Sequence, residues 1–156
     1  MPGQRGLAIA LVVLGWATMV AARDLALVSN KSNAVTAVTI PELVKICKGQ
    51  ASHWPDGKAV TFITRDPASP DMKLVLEKIY GLPKSEVSAV IAAANHSRTN
   101  HPAIVVVDSD EALVKKVESI PGAIGLVDVY SITGGVTVLR IAGKLPLEPG
   151  YVLHGN

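Results

Sequence analysis

The chain has 156 residues, 49% of them hydrophobic and only 4% aromatic, with a formal net charge of +2. Such a near-balance excludes the basic stripe of a nucleic-acid binder. Cys47 is the single cysteine, which excludes a domain stapled by its own disulfides, so the fold must rest on apolar burial.

Residues 1–22, MPGQRGLAIALVVLGWATMVAA, combine one arginine, an apolar run from Gly6 to Ala17 and a small-residue end. This is a signal-peptide pattern, with Val20 and Ala22 at the third and first positions before the cut. The chain is therefore expected to be exported, periplasmic or secreted, and to begin at Arg23. No second membrane span follows, so none is expected once the signal is cleaved. Removing one arginine and no acid lowers the net charge from +2 to +1. Residues 23–156 then suit one domain, within the usual range of about 100–150 residues.

Strand and helix patterns alternate after residue 24. LALVS (25–29), VTFIT (60–64), AIGLVDV (123–129) and VTVLRI (136–141) are short runs bounded by turn residues, and read as strands. TIPELVKICKG has a capping box in Thr39 and Glu42, Pro41 in its first turn and Gly49 as its stop. The spacing predicts further helices over 69–80, over 83–94, and from Ser109 to just before Pro121. IVVV at 104–107 is a short strand or an extended lead into the last of these. The short Ser131–Gly135 connection suits a hairpin. Alternation of this kind predicts an α/β three-layer sandwich around a mostly parallel sheet.

Chemistry-bearing motifs are sparse. No nucleophile elbow or cysteine signature occurs, so the chain does not read as an enzyme. Cys47 lies within the apolar LVKIC and reads as a small buried hydrophobe. His53, His96, His101 and His154 fall in loops or the tail without zinc spacing, so neither metal nor cofactor is expected. Trp54 reads as an aromatic packed over a turn, with ligand stacking as the alternative. Asn30-Lys31-Ser32 and Asn95-His96-Ser97 match the glycosylation sequon, in segments compatible with exposure.

Open α/β sheets bind ligands outside the carboxyl ends of their strands, where helix N-termini favour oxyanions. Three loops qualify: Ser29-Asn30-Lys31, Arg65 to Ser69, and Asp108-Ser109. Arg65 adds a cation able to contact an oxyanion in bidentate fashion. The same VTFITRDPASPD segment also reads as a plain strand-to-helix joint, with Ser69 as cap and Asp71 favourable to the helix dipole.

LALVSNKSN, TIPELVKICKGQASHW, VTFITRDPAS and IPGAIGLVDV, in that order, resemble the substrate-binding proteins of phosphate ABC transporters, in the type II periplasmic-binding-protein-like fold. The resemblance runs from about residue 25 to 141 and covers one lobe of that two-lobed architecture. It implies non-catalytic recognition of a small phosphate-like oxyanion, with Arg65, Asp66 and Ser69 in the places of the family's arginine, aspartate and serine. The family's glycine and threonine are replaced by Pro70, which lacks an N–H, and by Asp71, whose charge opposes an anion. A one-walled site implies weak binding, or binding completed by a second protein lobe or a membrane permease. The alternative is a secreted protein-interaction module that keeps the fold and has lost the ligand.

Overall fold

The computed structural model describes residues 23–98 and 100–155; the expected signal peptide, residues 1–22, lies outside them. Five strands form the central sheet: β1 (Leu25–Asn30), β3 (Thr61–Arg65), β4 (Ile104–Val107), β5 (Ala123–Asp128) and β6 (Val136–Val138), in the order β4-β3-β5-β1-β6. β3 pairs in parallel with both β4 and β5, whereas β1 is antiparallel to both β5 and β6. Four strands thus run one way and β1 alone runs against them, so the sheet is mostly parallel, as expected. Ala37–Val38 (β2) and Arg140–Ile141 (β7) form a separate parallel pair.

Helices cover both faces. α1 (Ile40–Cys47), α2 (Pro70–Tyr80) and α3 (Lys84–Asn95) pack on one side, over a core that includes Leu27, Phe62, Ile104, Ile124 and Leu126. α4 (Asp110–Ser119) packs on the other, with Leu113, Val114 and Val117 against Ala26, Val28, Ile63 and Val127. Neighbouring residues of one strand enter opposite clusters because side chains alternate across the pleat. Each fully buried Leu, Ile or Phe contributes about 1.5–3 kcal/mol. The result is a helix-sheet-helix sandwich.

The expected helix starts are formed. Thr39 Oγ1 accepts from Glu42 N at 3.2 Å while Glu42 Oε2 accepts from Thr39 N at 3.3 Å, completing the capping box. Ser109 Oγ accepts from Ala112 N at 3.0 Å. α2 is less regular than its sequence implies: a 3-10 turn at Pro70–Met72 runs into one α turn and a π turn at Leu76–Tyr80, closed by Gly81 at φ 61°. Pro70 supplies no N–H and the Ser69 cap is long at 3.4 Å, so the first turn lacks ordinary α bonding.

Two expectations are corrected. The last two strands make no hairpin, because β1 inserts between them and satisfies both edges. The run 136–141 is not one strand: Leu139 N donates to Leu27 O at 2.9 Å, and the chain then crosses to pair with β2. Trp54 is 8% exposed, and its Nε1 donates to Gly122 O at 2.8 Å, so it holds a turn rather than a ligand. The sequon asparagines are engaged too: the Asn95 side chain bonds both N and O of Ile104, and Asn30 is buried.

Gly122 links these parts. Its φ is +82°, and a Cβ there would lie 2.2 Å from Ala59 O, while its own carbonyl accepts from Trp54 Nε1 and from Thr61 N at 3.4 Å. Gly122→Ala is expected to destabilise the protein by about 2–4 kcal/mol, from left-handed backbone strain and the backbone clash. Urea unfolding followed by the fluorescence of Trp54, the only tryptophan after residue 22, measures the loss. A change below 0.5 kcal/mol would contradict this backbone geometry.

Candidate functional site

A cavity of about 400 Å³ opens at the carboxyl edge of β3 and β5, lined by Arg23, Leu25, Arg65, Pro70 to Val75, Glu77, Asp110, Leu126, Asp128 and Gly155. Parallel strands deliver Arg65 and Asp128 to this edge, and β1 contributes its beginning because it runs the other way. α2 and α4 both start here.

Arg65 is the centre of the charge arrangement. Its side chain is 16% exposed, and Nη1 lies 3.0 Å from Asp71 Oδ2 and 2.9 Å from Asp110 Oδ1. Its Nε–H is buried without a hydrogen-bond partner among the described residues. Asp110 also accepts from Ser131 Oγ at 3.4 Å, and Asp128 pairs with Arg23 Nη1 at 3.1 Å. Three cationic side chains (Arg23, Arg65, Lys73) therefore face four carboxylates (Asp71, Glu77, Asp110, Asp128). A charge-assisted pair fixes the guanidinium fork in place, but leaves no uncompensated positive charge at the mouth.

The other predicted residues fall in two groups. Asp66 and Ser69 adjoin Arg65 in the loop to α2 and outside the cavity wall. Asp66 Oδ1 accepts from Ala68 N at 2.8 Å, Asp66 O accepts from Ser69 N at 2.8 Å, and Ser69 caps α2. Both are thus engaged in turn geometry, and Asp66 is not the acid that pairs with Arg65. Ser29 and Asn30 are not brought to this edge. Ser29 and Phe62 both flank Ile124, so Ser29 lies three residues, roughly 10 Å, along the strand from Arg65. Asn30 Nδ2 donates to the carbonyls of Val117 and Glu118 at 2.8 and 3.0 Å, and its Oδ1 accepts from Ser32. It closes the end of α4 with its amide fully used.

Sequence reasoning missed Asp110 and Asp128. Asp110 follows a loop that was singled out, but only the fold shows that it reaches Arg65, 45 residues away. Asp128 was hidden as the last residue of a buried strand. Cys47 is fully buried, and burial pushes its thiol well above the usual range. Its carbonyl accepts from Tyr80 Oη at 2.5 Å, and burial, then the neighbouring Cys47, raises the Tyr80 phenol as well. Neither group is available as a base or nucleophile near neutral pH. Among the described residues no cluster of three or more His, Cys, Asp or Glu is placed to hold a metal ion, and no helix is long and apolar enough to cross a membrane.

The family described as "PBP superfamily domain" matches residues 13–151. The chain belongs to the PBP superfamily. No curated protein matches it. Among solved structures, this PBP-superfamily chain is similar to an ABC-type phosphate transport receptor from Vibrio cholerae (TM-score 0.64, 20% identity, 80% of this chain and 48% of that one). It is also similar to PstS from Borrelia burgdorferi (0.65, 19%, 86% and 55%). A phosphate-binding protein from Stenotrophomonas maltophilia follows (0.60, 15%, 80% and 40%). At these identities the likeness is one of fold, and it is to one lobe's worth: the chain spans about half the length of the solved proteins it matches.

Asn30→Ala removes the donor to two carbonyls at the buried end of α4, and is expected to cost about 1–3 kcal/mol in urea unfolding. Any response of the protein to anions at the Arg65 cavity is expected to persist in this variant, since Asn30 lies at the far edge. Loss of that response with unchanged stability would show that Asn30 contacts ligand.

Proposed function

We propose that the chain is an exported, non-catalytic solute-binding lobe that recognises a small oxyanion such as phosphate, with Arg65 as its cationic anchor. Residues 1–22 are its signal peptide and residues 23–156 its one PBP-like domain; an ABC permease or a second lobe completes the functional unit. The observation that carries this reading is the position of Arg65. Its guanidinium is fixed at the carboxyl edge of the parallel strands, beside the starts of α2 and α4, with an Nε–H donor unspent. Membership of the PBP superfamily supports it, as does the likeness of fold to proteins that bind phosphate.

The oxyanion would enter by displacing Asp71, whose side chain is 59% exposed against 24% for Asp110. Competition from that carboxylate makes the affinity modest. Phosphate at ten times its Kd is expected to add about 1.4 kcal/mol of stability, raising Tm by a few degrees relative to chloride at equal ionic strength. Asp71→Asn should strengthen the response by removing the competitor, and Arg65→Ala should abolish it. Absence of a shift in both wild type and Asp71→Asn at tens of millimolar phosphate would overturn the reading.

A second reading is an interaction module that uses the same edge to dock a protein. The prior neutralisation of Arg65 by Asp71 and Asp110 favours it. A dimer in sedimentation that persists in Arg65→Ala, with no response to phosphate, is its expected signature.

A further inference from the structure

A second cavity, of about 380 Å³, lies at the opposite edge of β3, lined by Ser52, His53, Ala59, Val60, Thr61, Ser97, Arg98, Asn100, His101 and Pro102. Three segments build it: the loop after α1, the entry to β3, and the loop leading into β4. Thr61 begins β3 and Arg65 ends it, so the two cavities are about 13 Å apart along the strand.

Its charge is the reverse of the first. Among the described residues one arginine and two imidazoles line it, and no carboxylate does. The ion pairs formed among the described residues involve none of Arg98, His53 and His101. The nearest acid in sequence to His53, Asp56, is spent on Lys58 at 2.6 Å. Arg98 presents a fork of N–H donors, each imidazole offers at least one N–H in either charge state, and Ser52, Ser97, Thr61 and Asn100 add hydroxyl and amide groups. These polar groups share the wall with apolar surface from Ala59, Val60 and Pro102, and the volume, within the roughly 300–1,000 Å³ of small-molecule sites, exceeds what a bare inorganic anion fills.

We propose that this cavity is a binding site for a small organic anion, its phosphate or carboxylate group held by Arg98 with His53 and His101, and its polar body against Ser52, Ser97 and Asn100. The site is separate from the Arg65 cavity and does not depend on the function assigned to it. It gives the lobe a second ligand, on the edge facing away from the first.

The imidazole resonances of His53 and His101 report occupancy directly. Titration of the protein with glucose 6-phosphate and with citrate, glucose serving as the uncharged control, is expected to move both resonances saturably with at least one of the two anions and with neither shift under glucose. Arg98→Ala, checked by circular dichroism for an intact fold, should weaken that binding about tenfold or more, the loss of a charge-assisted contact. Arg65→Ala should leave it unchanged, which keeps a failure here distinct from a failure at the first cavity. The proposal is overturned if neither anion shifts the imidazoles, if glucose shifts them equally, if Arg98→Ala binds as wild type does, or if Arg65→Ala abolishes the effect.

Discussion

The direction of β1 governs the arrangement of everything else. It runs against the other four strands from the position between β5 and β6, with Ala26, Leu27 and Val28 fully buried. By satisfying both neighbours it prevents β5 and β6 from meeting, and it sends the start of the strand, not its end, to the edge where β3 and β5 finish. Arg23 and Leu25 thereby line the Arg65 cavity, while Ser29 and Asn30 are carried to the far side. The tail confirms the same logic: Leu25 N donates to Leu153 O at 3.0 Å, Tyr151 Oη donates to Leu25 O at 2.7 Å, and Asp24, 1% exposed, accepts from Leu147 N at 2.7 Å and pairs with His154 at 2.6 Å.

Close approach on either face of that sheet depends on small residues at chosen points. A Cβ on Gly125 would stand 2.7 Å from Leu113 Cδ2 and 2.8 Å from Ile63 O, so its absence lets α4 settle onto the middle of the sheet. Gly122 does the equivalent at the amino edge, where it meets the backbone of Ala59. The IPGAIGLV run is thus explained by packing: one glycine turns the chain out of α4, and the second gives that helix room.

What the sequence revealed follows the range of the interactions involved. Thr39 with Glu42, and Ser109, are local devices, and each was legible because cap and partner lie within a few residues. Strand identity was legible from β-branched runs bounded by turns. Strand direction was not, since nothing in LALVSN distinguishes a strand that runs with its neighbours from one that runs against them; that is decided by which edges remain open after the rest of the sheet forms. The separation of the Ser29-Asn30 loop from Arg65 comes from this alone. The partners of Arg65 were half-visible: Asp71 was noticed as an unfavourable charge for an anion, whereas Asp110 required the crossover that brings α4 beside β3.

The two edges of β3 therefore differ in kind. At the carboxyl edge the strongest donor on the strand is met by the chain's own carboxylates, so a free anion there competes with Asp71 and Asp110 for one guanidinium. At this partial exposure each such pair is worth no more than about 1 kcal/mol, small enough for a well-fitted oxyanion with three or four acceptor oxygens to replace the weaker of them. On the proposed reading the internal acids act as a threshold: Asp71 and Asp110 hold the fork in place, and only a ligand that offers Arg65 more than one contact gains by displacing one of them. A monovalent ion with a single acceptor gains nothing by the exchange. On that reading selection at this edge rests on the geometry of the guest, because the three cations and four carboxylates that line the cavity provide no net attraction for an anion.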